Sequence, residues 1–565
     1  MPRSTLSLLV LVGLLAGCAS NQSSSSTRST AVETRPEAYA LIAGEKVPVP
    51  AIQMGDPKTI AAILNEGKNR NKVMDHLTHL CEVIGPRLTG STKAEIANYW
   101  TRDQFALWGL TNSRVEPWGT IAVRFDRGPS TGKVLLRRET RNEDGTTRVE
   151  HDTIREMEFT TLAWAAGTSH PVRGHVIRMP QTEEEFAAVA GSLEGAWVLQ
   201  KVRAPGDRAG IRGVGNSMRD RLRQIREARA KVASEGTEVA DLPIFERVAL
   251  SGIAGFLSTT RDDRVWTTSA DGWRELDPNN IPPDVEVSLS FPDYDFINSR
   301  LADGESIELE FDLQNRFSPG PIPVYNTIAE IRGSTWPDEV VIVSAHLDSW
   351  NGPGSLGTVD NGTGSAVTLE AARILAAVGA KPKRTIRFIL WTGEEQGLLG
   401  SRAYVESLGD ELDRISAVFV DDGGTNYEGG LTGTVAMRDY LAAATAPVNG
   451  QFFSETDNKH LDVNIQTAEY FPRFGGSDHA SFVARGVPGF FWQEVGRANY
   501  SHGWHTQYDR LDQAIPEYLI QSSTCAAITA YNLACAPSLL PRDNMNRPEG
   551  EGQGDAPRGG RPARQ

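Results

Sequence analysis

The stretch from Val340 to Gly400 constrains the fold of this chain more than any other part of it. It begins with a β-branched apolar run at 340–343, continues with apolar residues at helical spacing in 367–375, and reaches a second apolar run at 386–391. Short apolar runs bounded by turns are typical of buried strands, and the middle segment has the period of a helix. The order strand, helix, strand predicts a βαβ unit of a parallel sheet.

Acidic and imidazole side chains follow both predicted strands. His346 and Asp348 come after the first strand, Asp360 lies in the turn before the helix, and Glu394 and Glu395 come after the second strand. Ligands of such sheets bind beyond the carboxyl ends of the strands, so we expect these side chains at one edge. Imidazole and carboxylate ligands together suit zinc. Each residue alone fits an ordinary solvated loop, but their shared position favours a metal site.

Three motifs in this stretch resemble those of the M28 metallopeptidases, the group of co-catalytic zinc aminopeptidases and carboxypeptidase Q. They are HLDSW at 346–350, VDNGTGSA at 359–366 and WTGEEQGLLGS at 391–401. The resemblance implies an α/β fold, the zinc exopeptidase fold, in which helices flank a mixed, mostly parallel sheet. It also implies two zinc ions per chain and a peptide substrate.

Two further ligands each have two candidates. A strand-like run at 415–420 ends in Asp421 and Asp422, and neighbouring side chains of a strand point to opposite sides. The family pattern aligns Asp422 with the ligand and leaves Asp421 as the alternative. The block at 501–512 resembles the family's His-Thr-x-x-Asp motif through His505, whereas another register would favour His502.

The resemblance implies a role for each ligand. Asp360 would bridge the two zinc ions, His346 and Asp422 would complete one ion, and Glu395 and His505 would complete the other. Three protein ligands per ion leave a position open, as in catalytic zinc sites.

The remaining polar residues of the site have roles beside the metal. Asp348 is expected to accept the hydrogen on the other ring nitrogen of His346 and so fix its tautomer. Glu394 is expected to be the general base, which takes a proton from a zinc-bridging water and returns it to the leaving amine. Asp478 and His479 are expected to shape the pocket. The family also has a cis peptide after the bridging aspartate, which implies the same at Asp360.

The composition along the chain predicts six segments. They are a lipoprotein signal peptide at 1–17, a tether at 18–50, the first part of the catalytic domain at 51–115, a β-rich insertion resembling a protease-associated domain at 116–317, the rest of the catalytic domain at 318–540, and a disordered tail at 541–565. The insertion is inferred from short alternating strands and from the apolar segments 195–203 and 252–259.

The first residues predict export and lipidation. Arg3 precedes a short apolar run, and the sequence Leu15-Ala16-Gly17-Cys18 resembles a bacterial lipobox. Acyl chains on Cys18 would anchor the protein to a membrane of the cell envelope, and the residue after it, Ala19, favours the outer membrane. A plain secretory signal is the alternative.

The net charge of −15 argues against nucleic-acid binding. The predicted function is therefore zinc-dependent exopeptidase hydrolysis of short peptides. Two alternatives remain: a non-catalytic receptor on the same scaffold, and a glutaminyl cyclase-like acyl transfer that uses one metal. The sequence leaves open the substrate preference, the choice between amino-, carboxy- and dipeptidase activity, the oligomeric state and the role of the insertion.

Overall fold

The structure, a computed structural model, describes residues 38–201, 211–259 and 262–546, without the side chains of 211–217. The predicted signal peptide, Cys18, the first part of the tether and residues 547–565 lie outside the described residues. The helices are α1 (Pro57–Asn69), α2 (Val73–Thr78), α3 (Thr92–Leu107), α4 (Glu183–Val189), α5 (Ile211–Ala230), α6 (Ile244–Ala249), α7 (Phe291–Ala302), α8 (Thr363–Ala377), α9 (Leu399–Leu408), α10 (Arg438–Thr445), α11 (His479–Val483), α12 (Tyr500–Gly503) and α13 (Pro516–Cys535).

The strands form three larger sheets and one small hairpin. They are β1 (Tyr39–Ile42), β2 (Glu45–Pro48), β3 (Thr111–Arg127), β4 (Thr131–Arg141), β5 (Thr147–Glu156), β6 (Phe159–Thr160), β7 (Val172–Arg178), β8 (Trp197–Leu199), β9 (Gly255–Thr259), β10 (Glu286–Leu289), β11 (Ile307–Asp312), β12 (Asn315–Ile331), β13 (Trp336–His346), β14 (Arg384–Trp391), β15 (Ile415–Val420), β16 (Tyr427–Thr434), β17 (Phe453–Ser454), β18 (Lys459–His460), β19 (Asn464–Ala468), β20 (Gly489–Phe491) and β21 (Gln493–Val495).

The central sheet has six strands in the order β20-β15-β13-β14-β12-β3. The first four are parallel, while β12 runs antiparallel to both β14 and β3. The predicted βαβ unit is β13, α8 and β14. The mixed, mostly parallel sheet predicted from the sequence is therefore confirmed.

Both faces of the central sheet are covered, which explains why β13 is apolar on both sides. Val341 and Val343 pack in one core cluster with Ile374 of α8, whereas Ile342 packs on the opposite face with Phe482 of α11. All five side chains are nearly or fully buried. Each such burial contributes about 1.5–3 kcal/mol, and together they fix the register that places the strand ends.

A second sheet of eight strands, in the order β5-β4-β11-β7-β8-β9-β10-β6, contains the segments 195–203 and 252–259 through β8 and β9. It is joined to the central sheet by β3 and β12, which pair over most of their length. The predicted insertion boundaries, 115/116 and 317/318, lie inside these two strands. The chain thus passes between the two sheets through the short connections 128–130 and 313–314, and the predicted boundaries instead cut through strands of the central sheet.

The last part of the predicted tether is not a tether. Residues 38–50 contain β1 and β2, which extend a five-stranded sheet in the order β2-β1-β19-β16-β21. β1 pairs in parallel with β19, and the Tyr39 hydroxyl donates to Asp462 Oδ2 at 2.6 Å. These pairings stabilise two strands of four residues each, which are too short to be predicted as strands from the sequence alone.

The predicted disordered tail also starts too early. Arg542 Nη2 donates to the carbonyl oxygens of Leu412 and Ile415 at 2.7 and 2.8 Å, and Met545 is buried. Residues 541–546 therefore belong to the folded domain. Among the described residues, no helix combines the length and the apolar character needed to cross a membrane.

Candidate metal centre

The predicted site residues meet at the carboxyl edge of the central sheet. His346 is the last residue of β13, Glu394 and Glu395 follow β14, and Asp422 follows β15. Asp360 lies in the turn before α8. Parallel strands bring their carboxyl ends to one edge, so residues far apart in sequence become neighbours there.

The first group of possible ligands consists of His346, Asp360 and Asp422. His346 Nε2 lies 3.0 Å from Asp422 Oδ1 and 3.3 Å from Asp360 Oδ1. All three side chains are buried. One cation between these atoms would replace the contacts that they now make with each other.

The second group consists of Asp360, Glu395 and His505. His505 Nε2 lies 2.9 Å from Glu395 Oε2 and 3.1 Å from Asp360 Oδ2. Asp360 therefore faces the first group with one carboxylate oxygen and the second group with the other. This is the geometry expected of a residue that bridges two cations.

Each pair of alternative ligands is separated by this geometry. Asp422 belongs to the first group, whereas Asp421 interacts with the carboxyl group of Glu494. His505 belongs to the second group, whereas the His502 ring stacks on Tyr508 at 4.6 Å. The structure thus brings together the residues that the family pattern favoured. Asp478 and His479 are buried and lie outside both groups.

The turn that carries Asp360 is held from two sides. Asn361 Nδ2 donates to the carbonyl oxygen of Asp421 at 2.7 Å, which ties the turn to the end of β15. The backbone N–H groups of Thr358 and Val359 donate to Asp509 Oδ1 at 2.7 and 2.6 Å, which ties it to the His505 loop. The peptide bond between Asp360 and Asn361 is cis, as the resemblance implied.

Asp348 presents two acceptors to His346, and its backbone carbonyl is the nearer one. The Nδ1 of His346 lies 2.9 Å from the backbone carbonyl oxygen of Asp348 and 3.6 Å from its Oδ1. The carboxylate instead accepts from Thr89 Oγ1 at 2.8 Å and from the backbone N–H of Glu394 at 3.4 Å. Asp348 therefore orients His346 through its main chain and holds the loop of Glu394 through its side chain.

Two residues that position the site were missed in the sequence, Arg87 and Thr89. Thr89 Oγ1 donates to the carboxylate of Asp348 and accepts from the backbone N–H of Gly393 at 2.9 Å. Arg87 is fully buried, and its guanidinium donates to the carbonyl oxygens of Leu347 and Gly357 at 2.8 and 2.7 Å. The sequence offered one signal for Arg87, namely a charged residue in the short loop between two helices.

The electrostatics indicate an excess of negative charge. Burial raises the pKa of Glu394 well above its usual range, and the nearby carboxylates raise it further. Burial and the charge of Asp360 raise the pKa of Glu395 to about 7. Burial would lower the pKa of His505, but Glu395 and Asp360 outweigh it and raise the pKa to about 10. Carboxylates crowded in this way are stabilised by a bound cation.

The polar atoms of the site fit a divalent metal. Glu395 Oε1 is buried without a hydrogen-bond partner, and Asp360 Oδ2 has only the ion-pair contact with His505; both arrangements are costly unless something else binds these oxygens. Nitrogen and carboxylate oxygen donors, three to a group, match the ligand sets of catalytic zinc sites. Glu394 and His505 are the most exposed of the six side chains, at 12% and 15%, so a substrate would approach from their side.

Comparisons with known proteins agree with this geometry. Residues 326–529 match the model of peptidase family M28. Carboxypeptidase Q of Rattus norvegicus is 26% identical over 490 residues, which cover 86% of this chain and 90% of that protein. Carboxypeptidase Q of Xenopus laevis is 29% identical over 274 residues, or 48% of this chain and 54% of that protein, about half its length.

A solved structure shares the fold. The peptidase M28 precursor of Shewanella amazonensis SB2B aligns with a TM-score of 0.55 at 23% identity, covering 86% of this chain and 98% of that one. The family match covers the strand ends and loops that carry every residue of both ligand groups. Residues 326–529, which carry the site, therefore match peptidase family M28, and the protein is a metallopeptidase.

Proposed function

We propose that this protein is a two-zinc exopeptidase that hydrolyses the peptide bond next to a free terminus of short peptides. The observation that carries the proposal is the pair of ligand groups that share Asp360. A carboxylate with one oxygen toward each group suits two adjacent cations and has no evident use in a site for one.

The six polar side chains divide into ligands and a base. His346, Asp360 and Asp422 would hold one zinc ion, and Asp360, Glu395 and His505 would hold the other. When bound, the two ions would lower the pKa of a water molecule and polarise the scissile carbonyl group.

Glu394 is left to move the proton. It belongs to neither ligand group, its Oε2 lies 4.0 Å from His346 Nε2, and its backbone N–H is held by Asp348. Its carboxylate would take the proton of the attacking water and deliver it to the nitrogen of the leaving amine.

The relatives support the proposed substrate class. Carboxypeptidase Q of Rattus norvegicus matches this chain over 90% of its own length. A receptor on the same scaffold would not need the complete ligand and base set found here. A cyclase with one metal would not need a second ligand group.

A panel of short peptides with free or blocked termini tests this function. We expect zinc-loaded protein to cleave peptides with free termini, and blocking one particular terminus should abolish cleavage. Cleavage that persists when both termini are blocked, or cyclisation of an N-terminal glutamine without hydrolysis, would overturn the exopeptidase proposal.

We also propose that the mature protein is anchored to the cell envelope, in a two-membrane bacterium to its outer membrane, through acyl chains on Cys18. The support is the lipobox-like sequence that ends at Cys18 and the short apolar run before it.

A further inference from the structure

Residues 264–267, here called the bridging segment, connect the eight-stranded sheet to the loop that carries His505. The segment lies in the connection between β9 and β10. Trp266 forms an antiparallel bridge with Thr506, and the backbone N–H of Thr267 donates to the carbonyl oxygen of His505 at 2.9 Å. A ligand of the central-sheet site is therefore bonded directly to the insertion.

Gln507 adds side-chain bonds to this connection. Its Oε1 accepts from the backbone N–H of Val265 at 2.9 Å. Its Nε2 donates to Glu158 Oε2 at 3.0 Å and to the carbonyl oxygen of Asp263 at 3.1 Å. The side chain is buried, so these bonds are shielded from water. Next to the ligand loop, Arg264 Nη1 donates to the carbonyl oxygen of Ser501 at 2.7 Å.

The backbone of His505 needs such support. Its φ is +58°, in the left-handed region that a residue with a Cβ rarely adopts. Within its own loop, the backbone N–H of Thr506 donates to the carbonyl oxygen of Gly503 at 2.9 Å. From the insertion, Thr267 fixes the carbonyl oxygen of His505 itself. An unfavourable conformation persists where the surroundings determine it, and here part of those surroundings is the bridging segment.

The bridging segment is in turn fixed to its own sheet. Thr267 Oγ1 lies 2.8 Å from Thr160 Oγ1 at the end of β6. The backbone N–H of Ala163 donates to the carbonyl oxygen of Thr268 at 2.8 Å, and that of Ala270 donates to Ala163 at 2.9 Å. The segment is thus bonded at one side to residues next to β6 and at the other side to the His505 loop.

Aromatic rings surround the imidazole at the other end of this link. The centroid of the Trp504 ring lies 4.2 Å from the centroid of the His505 ring, and the centroid of the Trp350 ring lies 5.8 Å from the same point. Trp266 of the bridging segment packs edge-on against Trp504 at 6.3 Å. Contacts from the insertion therefore reach the imidazole through side chains as well as through the backbone.

We propose that the bridging segment is a positioning element for the second ligand group. It holds His505 so that Nε2 faces Asp360 and Glu395, and the insertion thereby sets the affinity for the cation in that group alone. The inference rests on the proposed function, because it takes His505 to be a zinc ligand. Groups that orient a metal ligand typically change metal affinity by about 10- to 100-fold.

Zinc titration of the full chain in competition with a chromophoric chelator tests the proposal. Gln507→Met removes the three side-chain bonds at similar volume, and Thr267→Pro removes the N–H that binds His505. Gln181→Met is the matched control, because its amide donates to Met179 and Pro180 within the insertion. We expect both test variants to bind the first zinc as wild type does and the second about 10- to 100-fold more weakly.

Activity supplies a second readout that general destabilisation would not reproduce. At limiting zinc, kcat of both test variants should fall, and excess zinc should restore kcat with KM unchanged. Two wild-type affinities in both variants, or an equal loss of both zinc ions, would overturn the proposal. If Thr267→Pro does not fold, Gln507→Met decides the question.

A separate comparison distinguishes this outcome from failure of the proposed function. If wild type does not bind two zinc ions, or if His505→Ala binds as much zinc as wild type, the ligand assignment itself is wrong. The positioning role alone is wrong if wild type binds two zinc ions, His505→Ala loses one of them, and Gln507→Met binds both as wild type does.

Discussion

Asp421 and Asp422 are consecutive residues after β15, yet they contact different parts of the molecule. Asp422 Oδ1 lies 3.0 Å from His346 Nε2, whereas the carboxyl group of Asp421 interacts with that of Glu494. Burial raises the pKa of Asp421 to about 7, which fits a carboxyl group that shares a proton with its neighbour. The sequence favours Asp422 through the family pattern but leaves Asp421 as an alternative, and the contacts of the two residues separate them.

The first prediction follows from this difference. Asp422→Asn should lower zinc content by about one ion per chain and reduce kcat by at least about a hundredfold, because a charged ligand is lost. Asp421→Asn, the matched control, should retain both ions. Metal analysis of the two purified variants measures this, and the reverse pattern would assign the ligand to Asp421.

The second prediction concerns Glu394 as the base. Glu394→Gln should keep the zinc content of wild type, since the side chain belongs to neither ligand group, while kcat falls by at least about a hundredfold. Glu395→Gln should instead lower zinc content. Loss of zinc from Glu394→Gln would show that this residue is a ligand and would contradict the assigned role.

The third prediction concerns Arg87, which holds the loops around the site. Arg87→Met leaves the carbonyl oxygens of Leu347 and Gly357 without their donor, so we expect a loss of stability of about 3 kcal/mol or more. Arg402→Met, at an exposed position of α9, should change stability by less than about 0.5 kcal/mol. Denaturant unfolding compares the two, and equal stability would mean that Arg87 is dispensable.

The fourth prediction concerns the proposed anchor. Cys18→Ser removes the thiol that would carry the acyl chains, so the protein should accumulate uncleaved or be released from the membrane. Fractionation of expressing cells, with mass spectrometry of the mature N-terminus, checks this. A membrane-bound mature protein without lipid would refute the lipoprotein interpretation.

Local pattern was enough to predict the central sheet and the strand-end residues. His346, Asp360 and Glu395 lie close in sequence to apolar runs that are recognisable as strands or helices without knowledge of the rest of the chain. The family motifs favoured Asp422 over its neighbour and His505 over His502. Contacts between distant segments could not be predicted in this way. Thr89 meets Asp348 across 259 positions, and nothing near either residue indicates that contact.

The errors in domain limits have a similar cause. Residues 39–48 look like part of a tether because their alternation is weak, yet they form strands: β1 pairs with β19, more than 400 residues later, and β2 pairs with β1. The bridge between Trp266 and Thr506 is equally non-local. The sequence gives no signal for this bridge, because the bond from Thr267 to His505 joins backbone atoms, which every residue has.

The most direct test of the account is the number of zinc ions bound by the wild-type chain, measured by metal analysis after equilibration with zinc and removal of the excess. Two ligand groups that share Asp360 predict two ions per chain, with turnover that requires both. One ion per chain with full peptidase activity would contradict the bridging role of Asp360, and no zinc dependence at all would contradict the proposed mechanism.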